Sequence, residues 1–122
     1  MKSINYDSEG DILTVTFAQA NNQSVRGIEL NDNIVLYYDT KTKEPVELIL
    51  ISYQAMLLAG ANKPFKLNGL LSLPTSVRAV ILRIVRRSAV SNFLQLVETP
   101  NRKVPASYPR AVFTSSAMQA VA

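Results

Sequence analysis

The chain contains no cysteine and no histidine. The first absence excludes disulfides, thiolate catalysis and cysteine-ligated metal. The second removes the commonest general base and the commonest metal ligand. The opening residues, Met1-Lys2-Ser3-Ile4-Asn5-Tyr6, lack the apolar core of a signal peptide. The longest uncharged apolar stretch, Leu48 to Ala61, is shorter than the about 20 residues a membrane-spanning helix needs. Together these absences give the expectation of a cytoplasmic chain with no membrane-embedded part. Acidic side chains are scarce in one half only. Residues 1–59 carry four basic and eight acidic side chains, and residues 60–122 carry nine basic and one acidic, Glu98. Either the two halves dock electrostatically or the basic half meets an acidic partner.

What is present fits a single domain at 122 residues. The first half reads as strands. Ile4 to Asp7 is a short one, leading into the turn Asp7-Ser8-Glu9-Gly10-Asp11. Ile12 to Phe17 alternates cleanly, with Leu13, Val15 and Phe17 inward and Thr14 and Thr16 outward. Val25 to Leu30 is a weaker third strand. Ile34 to Tyr38 and Val46 to Ile51 then form a hairpin around a charged loop ending in Pro45, which cannot donate to a ladder and suits a strand's first position. With short connections, sequence neighbours become spatial neighbours and the five strands form an antiparallel meander.

The last of these strands is apolar on both sides. Val46, Leu48 and Leu50 share one face, and Glu47, Ile49 and Ile51 the other. A half-exposed antiparallel strand shows polar residues to solvent. Ile49 and Ile51 break that rule, so a second layer is expected over them, from the chain's own later helix or from another copy. Tyr37 and Tyr38 point to opposite faces, so at most one is buried against the helix; Tyr37 is a candidate interface anchor, with a partly buried tyrosine whose hydroxyl meets water as the favoured reading.

Ser52 is placed to cap a short helix, Tyr53 to Ala59, closed by Gly60. Asn62 to Leu71 reads as a crossing segment. Pro74 favours a helix start near Leu73, with Ser72 and Thr75 as alternative caps. Val77, Val80, Ile81, Ile84 and Val85 then form one apolar stripe, with Arg83, Arg86 and Arg87 on the opposite side and Arg78 at the border. Phe93 to Val97 fits a short helix capped by Ser91, the favoured reading, or a strand. Beyond it, Pro100, Pro105 and Pro109 interrupt regular structure. The expected organisation is an α+β domain over residues 1–98, with a β-meander core over 4–58 and a helical appendage over 60–98. Residues 99–122 are expected as a proline-rich extended tail.

Three constellations invite a chemical reading. Asp7, Glu9 and Asp11 alternate as in a divalent-metal loop, but the later glycine and distal glutamate of such a loop are missing. Hydrogen bonding of Asp7 and Asp11 to turn backbone is the favoured role. No nucleophile or phosphate loop accompanies these carboxylates, so no catalytic residues, metal or cofactor are assigned and the chain is read as a non-enzyme. Arg83, Arg86 and Arg87, with Arg102, Lys103 and Arg110 as further members, form a basic face able to track phosphates or meet an acidic protein, although a solvated helix face or a dock for the acidic half of the same or a second chain is the favoured reading. No aromatic residue interleaves with them, which argues against base stacking.

The run Tyr6-Asp7-x-Glu9-x-Asp11-Ile12-Leu13, then Ile34-Val35-x-Tyr37-Tyr38-Asp39, then Val46-Glu47-Leu48-Ile49-Leu50, resembles a small bacterial β-meander domain family of unknown function. The resemblance covers residues 4–58. It implies a compact, self-associating domain, and an antitoxin-like regulatory role as a second expectation. Where that family places a glutamate between two aliphatic residues, this chain has Ile49. The function expected is a non-enzymatic binding or self-association module acting as a homo-oligomer, with Tyr37, Ile49 and Ile51 at the interface. The alternative is a nucleic-acid-associated regulator using the arginine face.

Overall fold

A computed structural model describes residues 3–19, 24–60, 64–97 and 110–114. The five expected strands are present: β1 (Ser3–Asp7), β2 (Ile12–Thr16), β3 (Val25–Asn31), β4 (Ile34–Asp39) and β5 (Pro45–Ile51). They form one antiparallel sheet in the order β1-β2-β5-β4-β3. Three of the four successive pairs are adjacent as expected. The exception is β2, which pairs with β5 and not with β3. β5 is apolar on both sides, and the centre of the sheet gives it a neighbour along each edge.

Alternation sets the two faces. Leu13, Val15, Ile28, Leu30, Ile34, Leu36, Leu48 and Leu50 are buried on one of them. Tyr38 joins them, while Tyr37 sits half-buried on the other. The hairpin loop between β4 and β5 is closed by Asp39. Its carboxylate accepts from the Lys41 and Thr42 N–H groups at 2.7 and 3.1 Å, and the Lys43 N–H donates to its carbonyl. Ser24 grips the same loop, its carbonyl accepting from the Thr40 N–H and its hydroxyl donating to the Asp39 carboxylate.

After β5 come α1 (Tyr53–Gly60), β6 (Phe65–Lys66), a 3₁₀ helix (Asn68–Ser72), α2 (Thr75–Val85), α3 (Ser88–Ser91), β7 (Leu94–Val97) and β8 (Arg110–Phe113). β6, β8 and β7 make a second, three-stranded antiparallel sheet with β8 in the middle. Ile81, Ile84 and Val85 of the predicted stripe are buried, and Val77 and Val80 pack partly against the same core. All the helices and the small sheet share one hydrophobic core with the Leu48 face of the large sheet.

Three expectations change here. The favoured short helix over Phe93 to Val97 is a strand from Leu94 onward, because Leu94, Gln95, Leu96 and Val97 pair with Phe113, Val112, Ala111 and Arg110. Composition assigns residues 110–113 to an extended tail, yet Ala111 and Phe113 are buried in the core as parts of a central strand. The crossing segment contains a turn of 3₁₀ helix lying against β3. It approaches so closely that a Cβ on Gly69 would stand 2.0 Å from the Glu29 carbonyl oxygen. The remainder of the expected tail, including Arg102 and Lys103, lies outside the described residues.

Candidate contact surface

The acidic turn proves to be structural. The Asp7 carboxylate accepts from the N–H groups of Glu9 and Gly10 at 3.1 and 3.3 Å, a local turn bond. Asp11 reaches much further. Its Oδ1 accepts from the Gln54 N–H at 2.8 Å and its Oδ2 from the Ala55 N–H at 3.2 Å. These are the second and third residues of α1, whose N–H groups have no partner inside the helix. The Tyr6 hydroxyl donates to the same Oδ1 at 2.8 Å. The Asp11 side chain therefore does the capping expected of Ser52, which supplies the preceding backbone with φ at 56°. Those donors, the Gln54 N–H first, hold the Asp11 carboxyl below its ordinary range. The bond to Asp11 in turn raises the Tyr6 phenol. Among the described residues no group of three or more metal-ligating side chains converges.

Ile49 and Ile51 lie on the face of the large sheet that points away from the helices. Of the two layers expected over them, the chain's own later helix is ruled out among the described residues, because α1, α2 and α3 pack on the Leu48 face. Strand register brings two further apolar residues beside them. Ile12 is opposite Ile51, and Val35 is opposite Ile49. All four are half-buried by their lateral neighbours. Tyr37 lies on the same face across from Gly27, with its ring where a Cβ on Gly27 would be, 2.7 Å from the ring edge. The ring thus covers a bare stretch of edge strand, a packing that secures strand pairing at a glycine.

Carboxylates border this patch. Asp7 is opposite Ile12, Glu29 is opposite Val35, and Glu47 precedes Ile49 by one alternation on β5. No lysine or arginine occupies a strand position on this face among the described residues. Sequence reasoning misses Ile12 and Val35 as members of the patch because the adjacency of β2 to β5 is not written locally. Their alternation with Leu13 and Leu36 is the available signal.

The arginines are elsewhere. Arg83, Arg86 and Arg87 are exposed on and just beyond α2, and Arg87 makes a long ion pair with Glu44 at 3.7 Å. Arg110 is set apart from them on β8, opposite Lys66. Arg78 is structural: its guanidinium donates to the carbonyls of Leu70, Leu71 and Leu73 and so closes the 3₁₀ helix. A polar notch of about 310 Å³ between β3 and the 3₁₀ helix is lined by Glu29, Asn31, Asp32, Asn68, Gly69 and Ser72. Asn31 there is already engaged, donating to the Lys66 carbonyl and accepting from the Asn33 N–H. No helix among the described residues is long and apolar enough to cross a membrane. Comparison of the chain with family models, with curated proteins and with solved structures returns no match.

Proposed function

We propose that this chain is a non-enzymatic self-association module that uses the open face of its larger sheet. One observation carries the reading: Ile12, Val35, Ile49 and Ile51 form a contiguous apolar patch that no described segment covers. Burying such a patch against a second copy removes apolar area from water, worth about 25 cal/mol per Å². The structural employment of Asp7, Asp11 and Asp39 supports a non-catalytic role. The family resemblance over residues 4–58 supports self-association. Sedimentation equilibrium across the micromolar range tests it. The expected result is a mass above one chain that returns to one chain when Ile49 and Ile51 are both replaced by threonine, which keeps strand propensity. A wild-type chain that is monomeric throughout overturns the proposal.

A second reading is favoured by the exposure of Arg83, Arg86 and Arg87 on and just beyond the end of α2: binding to nucleic acid, including an antitoxin-like regulatory role. It predicts duplex binding that weakens steeply with salt and drops when all three are changed to glutamine. Binding unaffected by that triple change removes it.

A further inference from the structure

We infer that copies of this chain associate head to tail, with the acid-rimmed sheet face of one against the arginine surface of α2 on the next. The inference rests on the reading of the sheet face as a contact surface and adds what that face meets. Its basis is charge. Asp7, Glu29 and Glu47 flank the four-residue apolar patch, and no basic residue stands among them on the strands. A twofold, face-to-face pairing would press this acidic rim against its own copy, and like charges brought together at an interface oppose association. The rim calls for a partner with the opposite sign.

The chain carries such a surface itself. Residues 75–91, spanning α2 and α3, contain no acidic residue, and three of their arginines, Arg83, Arg86 and Arg87, are exposed. Arg83 and Arg86 lie one turn apart and exposed. Arginine suits both parts of the acidic face. Its planar guanidinium pairs with carboxylates in bidentate fashion, and its aliphatic stem covers apolar surface while the charged head stays at the rim. Because the helices pack on the Leu48 side of the sheet, the arginines belong to a surface distinct from the open face. One copy therefore presents both halves of the contact on separate surfaces, so the sheet face of one copy meets the arginines of another. Contacts of this kind leave an unused half at each end, so copies add in one direction until a ring closes or a filament grows.

Two variants test this, each checked for native circular dichroism: Glu29→Lys with Glu47→Lys, and Arg83→Glu with Arg86→Glu. Each alone is expected to weaken wild-type self-association by at least about tenfold. An equal mixture of the two is expected to associate again, since each supplies the half the other has lost. Raising ionic strength is expected to weaken the wild-type assembly as the charges are screened. If the arginine variant alone associates as well as the wild type, the head-to-tail arrangement fails while the sheet-face reading stands. If the Ile49→Thr, Ile51→Thr chain also associates like the wild type, the sheet-face reading itself fails. If the arginine variant loses binding to a duplex DNA probe yet keeps full self-association, those arginines serve nucleic acid and the inference is overturned.

Discussion

The Asp11 carboxylate holds together two pieces of chain 43 residues apart, taking the free N–H groups of α1 and the Tyr6 hydroxyl at once. These bonds favour the charged form, so its carboxyl titrates below the ordinary value of about 3.9. Linkage gives the sign. The carboxylate's contribution is fully present above the unfolded value and is lost as pH falls through the lower folded one. Asp39, held down by the Thr42 and Lys41 N–H groups, acts in the same acidic window. The wild-type acid transition therefore mixes the two, and a difference between chains is needed to isolate Asp11. Asp11→Gly suits this purpose, because φ at 54° is comfortable for glycine and the backbone changes it brings do not depend on pH, so the pH-dependent part of the difference reports the carboxylate. The variant is expected to melt lower than the wild type at neutral pH, with the gap closing below about pH 4. Thermal melts from neutral to strongly acidic pH check this, and a gap that does not change with pH would show the carboxylate to be idle. The turn-backbone role of Asp7 is legible in the sequence from the turn chemistry alone, whereas Asp11, expected to act in the same turn, bonds the N–H groups of α1 instead. The identity of the helix cap is not legible, since capping rules are local and Asp11 acts across the fold.

At the level of elements, the alternation along β5 separates two environments one residue apart. Leu48 is fully buried in the shared core, whereas Ile49 is half-buried on the open face. Leu48→Ala is expected to destabilise the chain by about 2–5 kcal/mol, the cost of a cavity that the surroundings fill only partly. Ile49→Thr is expected to change monomer stability by about 0.5 kcal/mol or less, as surface changes usually do. Denaturant titrations at low protein concentration measure both, and similar losses from the two would mean that the open face is covered after all. This two-sidedness is readable in the sequence, as are all five strands and the α2 stripe. Strand order is not, because hairpin rules specify β1–β2, β3–β4 and β4–β5 but say nothing about which edge β2 then joins. The short run Leu94–Val97 shows a different limit. Four apolar-rich residues carry too little periodicity to separate a strand from a helix, and the pairing with β8 decides.

For the whole molecule, the question is where the domain closes. From Pro100, Pro105 and Pro109 the composition leads one to expect an extended tail. The fold places Arg110–Phe113 instead at the centre of the small sheet, between β6 and β7. Phe113 joins several parts of the core at once: its ring meets Tyr53 edge-on at 5.1 Å and Phe65 at 4.9 Å, and Tyr53 in turn meets Tyr6 at 6.5 Å. A four-residue strand with only Ala111 and Phe113 pointing inward gives a weak sequence signal, yet its aromatic side chain links the start of α1 to the second sheet. Phe113→Ala is therefore expected to cost about 3–5 kcal/mol. That is a large part of the roughly 5–15 kcal/mol that stabilises an ordinary domain. Val112→Ala, on the alternate face and half-buried, is expected to cost much less. Urea denaturation of the full chain measures both. A near-neutral Phe113→Ala would mean that the domain closes before residue 110 and that the strand merely rests on a core complete without it.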